Sequence, residues 1–140
     1  MSGIVFATRE IGSPPDFVWD VLRRVDDIAA WIPVVASARL DGDIRRVDFH
    51  DGGGATERIV EIDDDQRRYT YEYLDGVLPL AFYRSTLAVS TGDGGSTVTW
   101  HAEFRGRTED DEAALQEQLG EIYAESLDRL AQTCEGRPPG

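Results

Sequence analysis

The sequence predicts an α+β domain in which a curved antiparallel sheet lies against one long C-terminal helix, and three observations carry that prediction. Over residues 109–131, Leu115, Leu119, Ile122, Ser126 and Leu130 recur at steps of three and four, with Tyr123 and Leu127 beside them, so one apolar stripe runs the length of a helix. Residues 44–105 read as successive strands with one apolar face, punctuated by turns rich in Asp and Gly. Two short helical stretches separate the first strand from that run. A long helix lying across a curved sheet would bury both apolar surfaces. Gly120 and Ser126 put small or polar groups on the stripe, which either admit the sheet closely or leave room for a ligand.

In chain order, residues 4–11 form a strand closed by Gly12. Ser13 then caps a helix whose first positions are Pro14 and Pro15, tolerated there because those amides have no intrahelical partner, and Asp16 completes a capping box. This helix runs to about residue 25 with Phe17, Val21 and Leu22 inward and Arg23 and Arg24 outward, and a second short helix covers residues 26–31 before Pro33. Strands follow at 34–40, 44–49 and 56–62, joined by the turns at Asp41, Gly42 and Asp43 and at Asp51, Gly52, Gly53 and Gly54. After the polar turn Asp63, Asp64 and Asp65 come strands at 67–74, 82–90 and 97–105, with a Gly76 and Pro79 loop at 75–80. Thr108 caps the last helix, with Asp111 three residues on and acids at the positive end of its dipole.

At 140 residues the chain is expected to form a single domain, residues 1–134, with a disordered tail at 135–140. A formal charge of -13 and a pI near 4.4 disfavour nucleic acid or an anionic membrane surface as partners. All 14 positive residues are arginine. The single cysteine, Cys134, excludes an internal disulfide framework, and two separated histidines add no metal site. No stretch approaches the roughly 18 apolar residues of a membrane span, so a cytoplasmic protein, monomer or homodimer, is expected. Elbow, phosphate-cradle and dinucleotide motifs are absent.

The stretch Ser13, Pro14, Pro15, Asp16, Phe17, Val18 and Trp19, then Arg23, Arg24, Val25 and Asp26, then Trp31, Ile32 and Pro33, resembles the first-helix signature of the SRPBCC superfamily. That superfamily includes START domains, polyketide cyclases and dehydratases, and plant abscisic-acid receptors. Thr56, Glu57, Arg58 and Ile59, the Asp63 and Asp64 pair, Tyr83, Arg84 and Ser85, and Trp100 with Phe104 fall where polyketide cyclase/dehydrase-like members carry similar residues. The resemblance, over residues 13–131, implies a helix-grip fold: a seven-stranded curved antiparallel sheet wrapped around the C-terminal helix, with two short helices after the first strand. It also implies a deep, mostly apolar cavity between sheet and helix.

Alternation puts Tyr69, Tyr71 and Tyr73 on one strand face, where a flat apolar body with a hydroxyl tip suits an aromatic guest bearing a few oxygens; cross-strand packing would use the same residues. The resemblance sends Tyr83 and Ser85 into the cavity, and Glu57 with them. A carboxyl among tyrosines would have a raised pKa suited to proton transfer; solvation at the entrance, or pairing with Arg58 or Arg84, is the other reading. On the last strand, alternation turns Val98, Trp100, Ala102 and Phe104 inward, whereas matching to the hormone receptors turns His101 inward as a proton shuttle; a bulge would reconcile them. The receptors' ligand-pairing lysine falls at Ala36, and their gate and latch sequences are missing, so a hormone receptor of that type is excluded. The glycine run at 52–54 and the Pro79 loop form a candidate lid.

Two functions follow. One is an enzyme resembling the cyclases or dehydratases of aromatic polyketide biosynthesis, with Glu57, His101 and Tyr83 catalytic, needing no cofactor and no metal. The other is a carrier or sensor of a hydrophobic metabolite or lipid. In both, a hydrophobic small molecule meets Tyr71, Tyr73, Ser85, Ala36, Trp100, Leu119, Ile122, Tyr123 and Ser126.

Overall fold

The computed structural model describes residues 3–136. Seven strands make one antiparallel sheet: β1 (Gly3–Ile11), β2 (Val35–Asp41), β3 (Ile44–Phe49), β4 (Gly54–Asp63), β5 (Arg68–Gly76), β6 (Leu80–Gly92) and β7 (Gly95–Gly106). In their spatial order, β1-β7-β6-β5-β4-β3-β2, five successive hairpins join β2 to β7 and the first strand lies against the last. The link from β1 to β2 crosses the sheet and carries α1 (Pro15–Leu22) and a 3-10 turn at Ile28–Ala30. The long helix α2 (Glu109–Glu135) packs on the same face, and the core lies between. This is the helix-grip architecture the sequence implied. No helix among the described residues is long and apolar enough to cross a membrane.

Alternation holds along the inner face. Val98, Trp100, Ala102 and Phe104 of β7, and Tyr83, Ser85, Leu87 and Val89 of β6, are all buried. Pairing along β7 runs unbroken from Gly95 to Arg105 against β6 on one side, where the register shift lies in β6 between Leu80 and Phe82, and from Ser96 to Phe104 against β1 on the other, with no bulge in β7. On α2 the predicted stripe is the buried one: Leu115, Leu119, Tyr123, Ser126, Leu127 and Leu130. Thr108 accepts from the Asp111 amide at 3.0 Å as expected, while Glu112 reaches back to the Gly106 amide at 3.2 Å. The helix continues past the expected end, through Cys134 and Glu135, to a left-handed Gly136. The predicted disordered tail therefore begins inside a helix, and residues 137–140 lie outside the described residues.

The first helix corrects the sequence reading. Ser13 is not its cap: its hydroxyl donates to the Cys134 carbonyl at 2.9 Å, satisfying a carbonyl in the last turn of α2. Pro14 takes the cap position without a side-chain bond, the helix ends at Leu22 rather than Val25, and its phase follows Val18, Trp19 and Leu22. Phe17, expected inward, is 48% exposed. Trp19 fixes that phase by donating its ring N–H to Asp64 at 2.9 Å, where Arg23 also bonds at 2.8 Å. The second expected helix is the single 3-10 turn.

Candidate functional site

Between sheet and α2 lies a cavity of about 300 Å³ with mainly apolar walls: Ile28, Ile32, Val35, Val47, Phe49, Leu119 and Ile122. Its mouth is formed by Val34, His50, Asp51, Val77, Leu78 and Gln118. The two loops expected to act as a lid touch one another: Val77 donates its amide to the Gly54 carbonyl at 3.1 Å. Gly76, at φ +147, permits the crossing, since a Cβ there would meet the Gly54 carbonyl oxygen at 2.5 Å. Tyr73 does not line the cavity; its hydroxyl accepts from the Leu78 amide at 3.1 Å and so braces this loop from behind.

Polar groups converge at one end. Glu57 points inward from β4, where cross-strand pairing sets it opposite Arg45 on β3 and Tyr73 on β5. Its partner is Arg45, not Arg58 or Arg84: Arg45 Nε meets Glu57 Oε1 at 2.8 Å, with side-chain exposures of 2% and 13%. Arg45 also donates Nη1 to the Val25 carbonyl at 2.7 Å, and its guanidinium lies 4.8 Å from the centre of the Tyr71 ring. Burial raises the Glu57 carboxyl above the ordinary carboxylate range, while Arg45 pulls the other way. Burial opposes charge on Arg45, but Glu57 and the tyrosines outweigh it, so its pKa is raised and it stays a cation. Arg45 went unrecognised in the sequence. Its signal was there: with Val47 and Phe49 it occupies the inward side of an alternating strand.

Beside this pair runs a chain of phenol hydroxyls. Tyr71 and Tyr83 are 2.9 Å apart at their oxygens, and Tyr83 bonds in turn to Tyr123 of α2. The Tyr123 ring stacks on Trp100 at 3.8 Å between centroids, and Trp31 meets the other side of Trp100 edge-on at 5.5 Å. Burial pushes the hydroxyl pKa of Tyr71 and Tyr83 well above the ordinary tyrosine value and that of Tyr123 up to about 12. All three are thus neutral hydrogen-bonding groups near neutrality.

Glu57, Tyr71, Tyr83, Trp100, Leu119, Ile122 and Tyr123 are therefore gathered around one space. Other expected site residues fall elsewhere. His101 is exposed on the outer face between Phe6 and Thr86, because β7 pairs without a bulge. Ala36 is exposed where β2 shifts register between Val35 and Ser37, so Val35 takes the inward place. Ser85 is buried beneath the cavity wall, accepting from Trp100 Nε1 at 2.8 Å and donating to the His101 carbonyl at 3.2 Å, so it orients the indole. Ser126 is buried on α2 one turn beyond Ile122 and Tyr123 and does not itself line the cavity, and its hydroxyl has no partner among the described residues. Tyr69, the most buried tyrosine of β5, packs against Tyr71 behind the cavity.

The family described as polyketide cyclase/dehydrase and lipid transport matches residues 3–135. No curated protein matches the chain. Among solved structures, the protein XoxI from Bacillus cereus is 28% identical, with 96% of each chain covered and a TM-score of 0.87. The Zhui aromatase/cyclase from a Streptomyces species is 16% identical over 96% of this chain and 94% of its own, TM-score 0.85. A truncated norcoclaurine synthase from Thalictrum flavum is 14% identical over 99% and 96%, TM-score 0.75. The last two likenesses are of fold.

Proposed function

The chain belongs to the polyketide cyclase/dehydrase and lipid transport family, and we propose that it binds an apolar, aromatic or polyketide-like small molecule in its internal cavity and catalyses cofactor-free cyclisation or dehydration. The observation that carries this reading is the convergence of the Glu57–Arg45 pair and the Tyr71, Tyr83 and Tyr123 hydroxyls on one apolar space. In this scheme Glu57 takes a proton from a carbon between two carbonyls, and the electron pair moves onto oxygen as an enolate. A tyrosine hydroxyl donates to that oxygen, and the walls hold the enolate carbon against a second carbonyl. The carbon–carbon bond closes the ring and leaves an alkoxide that regains the proton, and loss of that hydroxyl with a neighbouring hydrogen as water gives the conjugated double bond. With His101 on the outer face, Glu57 takes the proton-moving role alone.

The carrier reading draws on the same ion pair, because a carboxylate locked by a guanidinium is also a fixed recognition element. One substitution separates the two. Glu57→Gln keeps an acceptor for Arg45 and removes the base. With a compound released from the freshly purified protein, identified by native mass spectrometry and denaturation, an enzyme loses turnover by at least about a hundredfold, far more than any accompanying change of affinity explains. A carrier shows a change of affinity alone. An empty protein with no thermal shift from aromatic metabolites would count against any ligand role.

A further inference from the structure

The hydrogen-bonding capacity left over at the polar end of the cavity narrows the ligand class, given the reading that the cavity is a ligand site. Glu57 Oε1 is occupied by Arg45, while no hydrogen bond reaches Oε2 among the described residues; Glu57 lines the cavity. Arg45 is committed to Glu57, to the Val25 carbonyl and to the Tyr71 face. Its charge is thus neutralised before any ligand arrives. The Tyr71, Tyr83 and Tyr123 hydroxyls bond to one another and Tyr123 also bonds to Ser85, so the phenol protons are shared within the wall. The cavity therefore offers one uncommitted acceptor, Glu57 Oε2.

Charge and size add two bounds. Asp51 stands at the mouth and the chain carries -13 overall, so an anion meets repulsion outside and an already paired cation within. An apolar cavity of about 150 Å³ accommodates a single benzene ring, so one of about 300 Å³ takes roughly two rings. We propose that the ligand is a neutral molecule of about two fused rings, a phenol or enol, whose hydroxyl donates to Glu57 Oε2. Carboxylates are rejected.

The test is calorimetric titration of the intact protein with naphthalene, β-naphthol and β-naphthoate. A hydrogen bond to a charged acceptor makes β-naphthol bind about tenfold or more tighter than naphthalene, and β-naphthoate binds weakest of the three. Glu57→Gln turns Oε2 into an amide donor, so the preference shifts from β-naphthol to the acceptor-only β-acetonaphthone; should that variant fail to fold, 2-methoxynaphthalene, which has no proton to donate, binds the wild-type protein about tenfold or more weaker than β-naphthol. Equal affinities for naphthalene and β-naphthol, or β-naphthoate binding as well as β-naphthol, would overturn the proposal while leaving the cavity a ligand site. If none of the three binds, the ligand-site reading falls with it.

Discussion

Arg45 is the residue whose placement most changes the chemistry of the cavity. A buried guanidinium is retained only with its hydrogen bonds made, and here the Glu57 carboxylate and the Val25 carbonyl accept them while the Tyr71 ring faces the charge. Arg45→Met strands a carboxylate in the cavity wall and is expected to cost about 3–5 kcal/mol in denaturant unfolding near neutral pH. The sign of its pH dependence follows from the carboxyl. Without the cation, the folded-state pKa of Glu57 rises further above its unfolded value, so stability is full below the unfolded pKa and is lost as pH rises through the folded one. The deficit should therefore be smaller at about pH 5 than at about pH 8, and adding Glu57→Leu should recover most of it. A deficit that is flat with pH, or persists in the double variant, would deny the pair its role. The sequence pointed to Glu57, Tyr71, Tyr83 and Trp100 through alternation and resemblance together. Arg45 stayed hidden because an arginine in a strand reads as a solvent residue unless the register is known, and strand pairing beginning at Gly54 is what sets it opposite Glu57. His101 shows the converse: alternation alone turned it outward, and the match to distant receptors argued against a period that the unbroken ladder obeys.

At the scale of elements, the helices differ in how far local pattern determines them. The stripe on α2 is long and its cap is local, so both were legible. The phase of α1 depends on two distant groups, the Cys134 carbonyl that takes the Ser13 hydroxyl and the Asp64 carboxylate that takes the Trp19 ring N–H, and no window of eight residues contains either. Gly120 was the ambiguous point of the stripe, read as a close approach or as ligand space. A Cβ built there meets no atom within 4 Å, so neither the sheet nor a neighbouring side chain requires glycine. Gly120→Ala, in the interior of α2, is accordingly expected to stabilise the protein by up to about 1 kcal/mol, read as a higher denaturant midpoint at unchanged slope. A destabilised variant would mean that the helix moves toward the sheet at this turn in solution.

For the whole molecule, the placement of aromatic hydroxyls links cavity architecture to stability. All five tyrosines carry hydroxyls whose pKa is raised above the ordinary value near 10, through burial first in every case; Tyr123 is pushed up to about 12. A group with a raised folded-state pKa stabilises the fold fully below its unfolded pKa, and that stabilisation is lost as pH rises through the folded one. The folded protein should therefore hold its stability up to about pH 10 and lose it steeply between about 10 and 12, with Tyr123 alone contributing on the order of 3 kcal/mol at roughly 1.4 kcal/mol per unit. The chain has no lysine, so the new negative charge in this window comes from the tyrosines and from Cys134, whose thiol is pushed up to about 11, and loss of stability by itself does not identify which group gives way. Ultraviolet tyrosinate absorbance does, when followed alongside far-ultraviolet circular dichroism. If the sheet and α2 keep the hydroxyls dry, tyrosinate appears together with loss of secondary structure, because the Tyr71, Tyr83 and Tyr123 chain ionises only when the helix leaves the sheet. Tyrosines that titrate near 10 in a protein that is still folded would mean that water already reaches the polar end of the cavity.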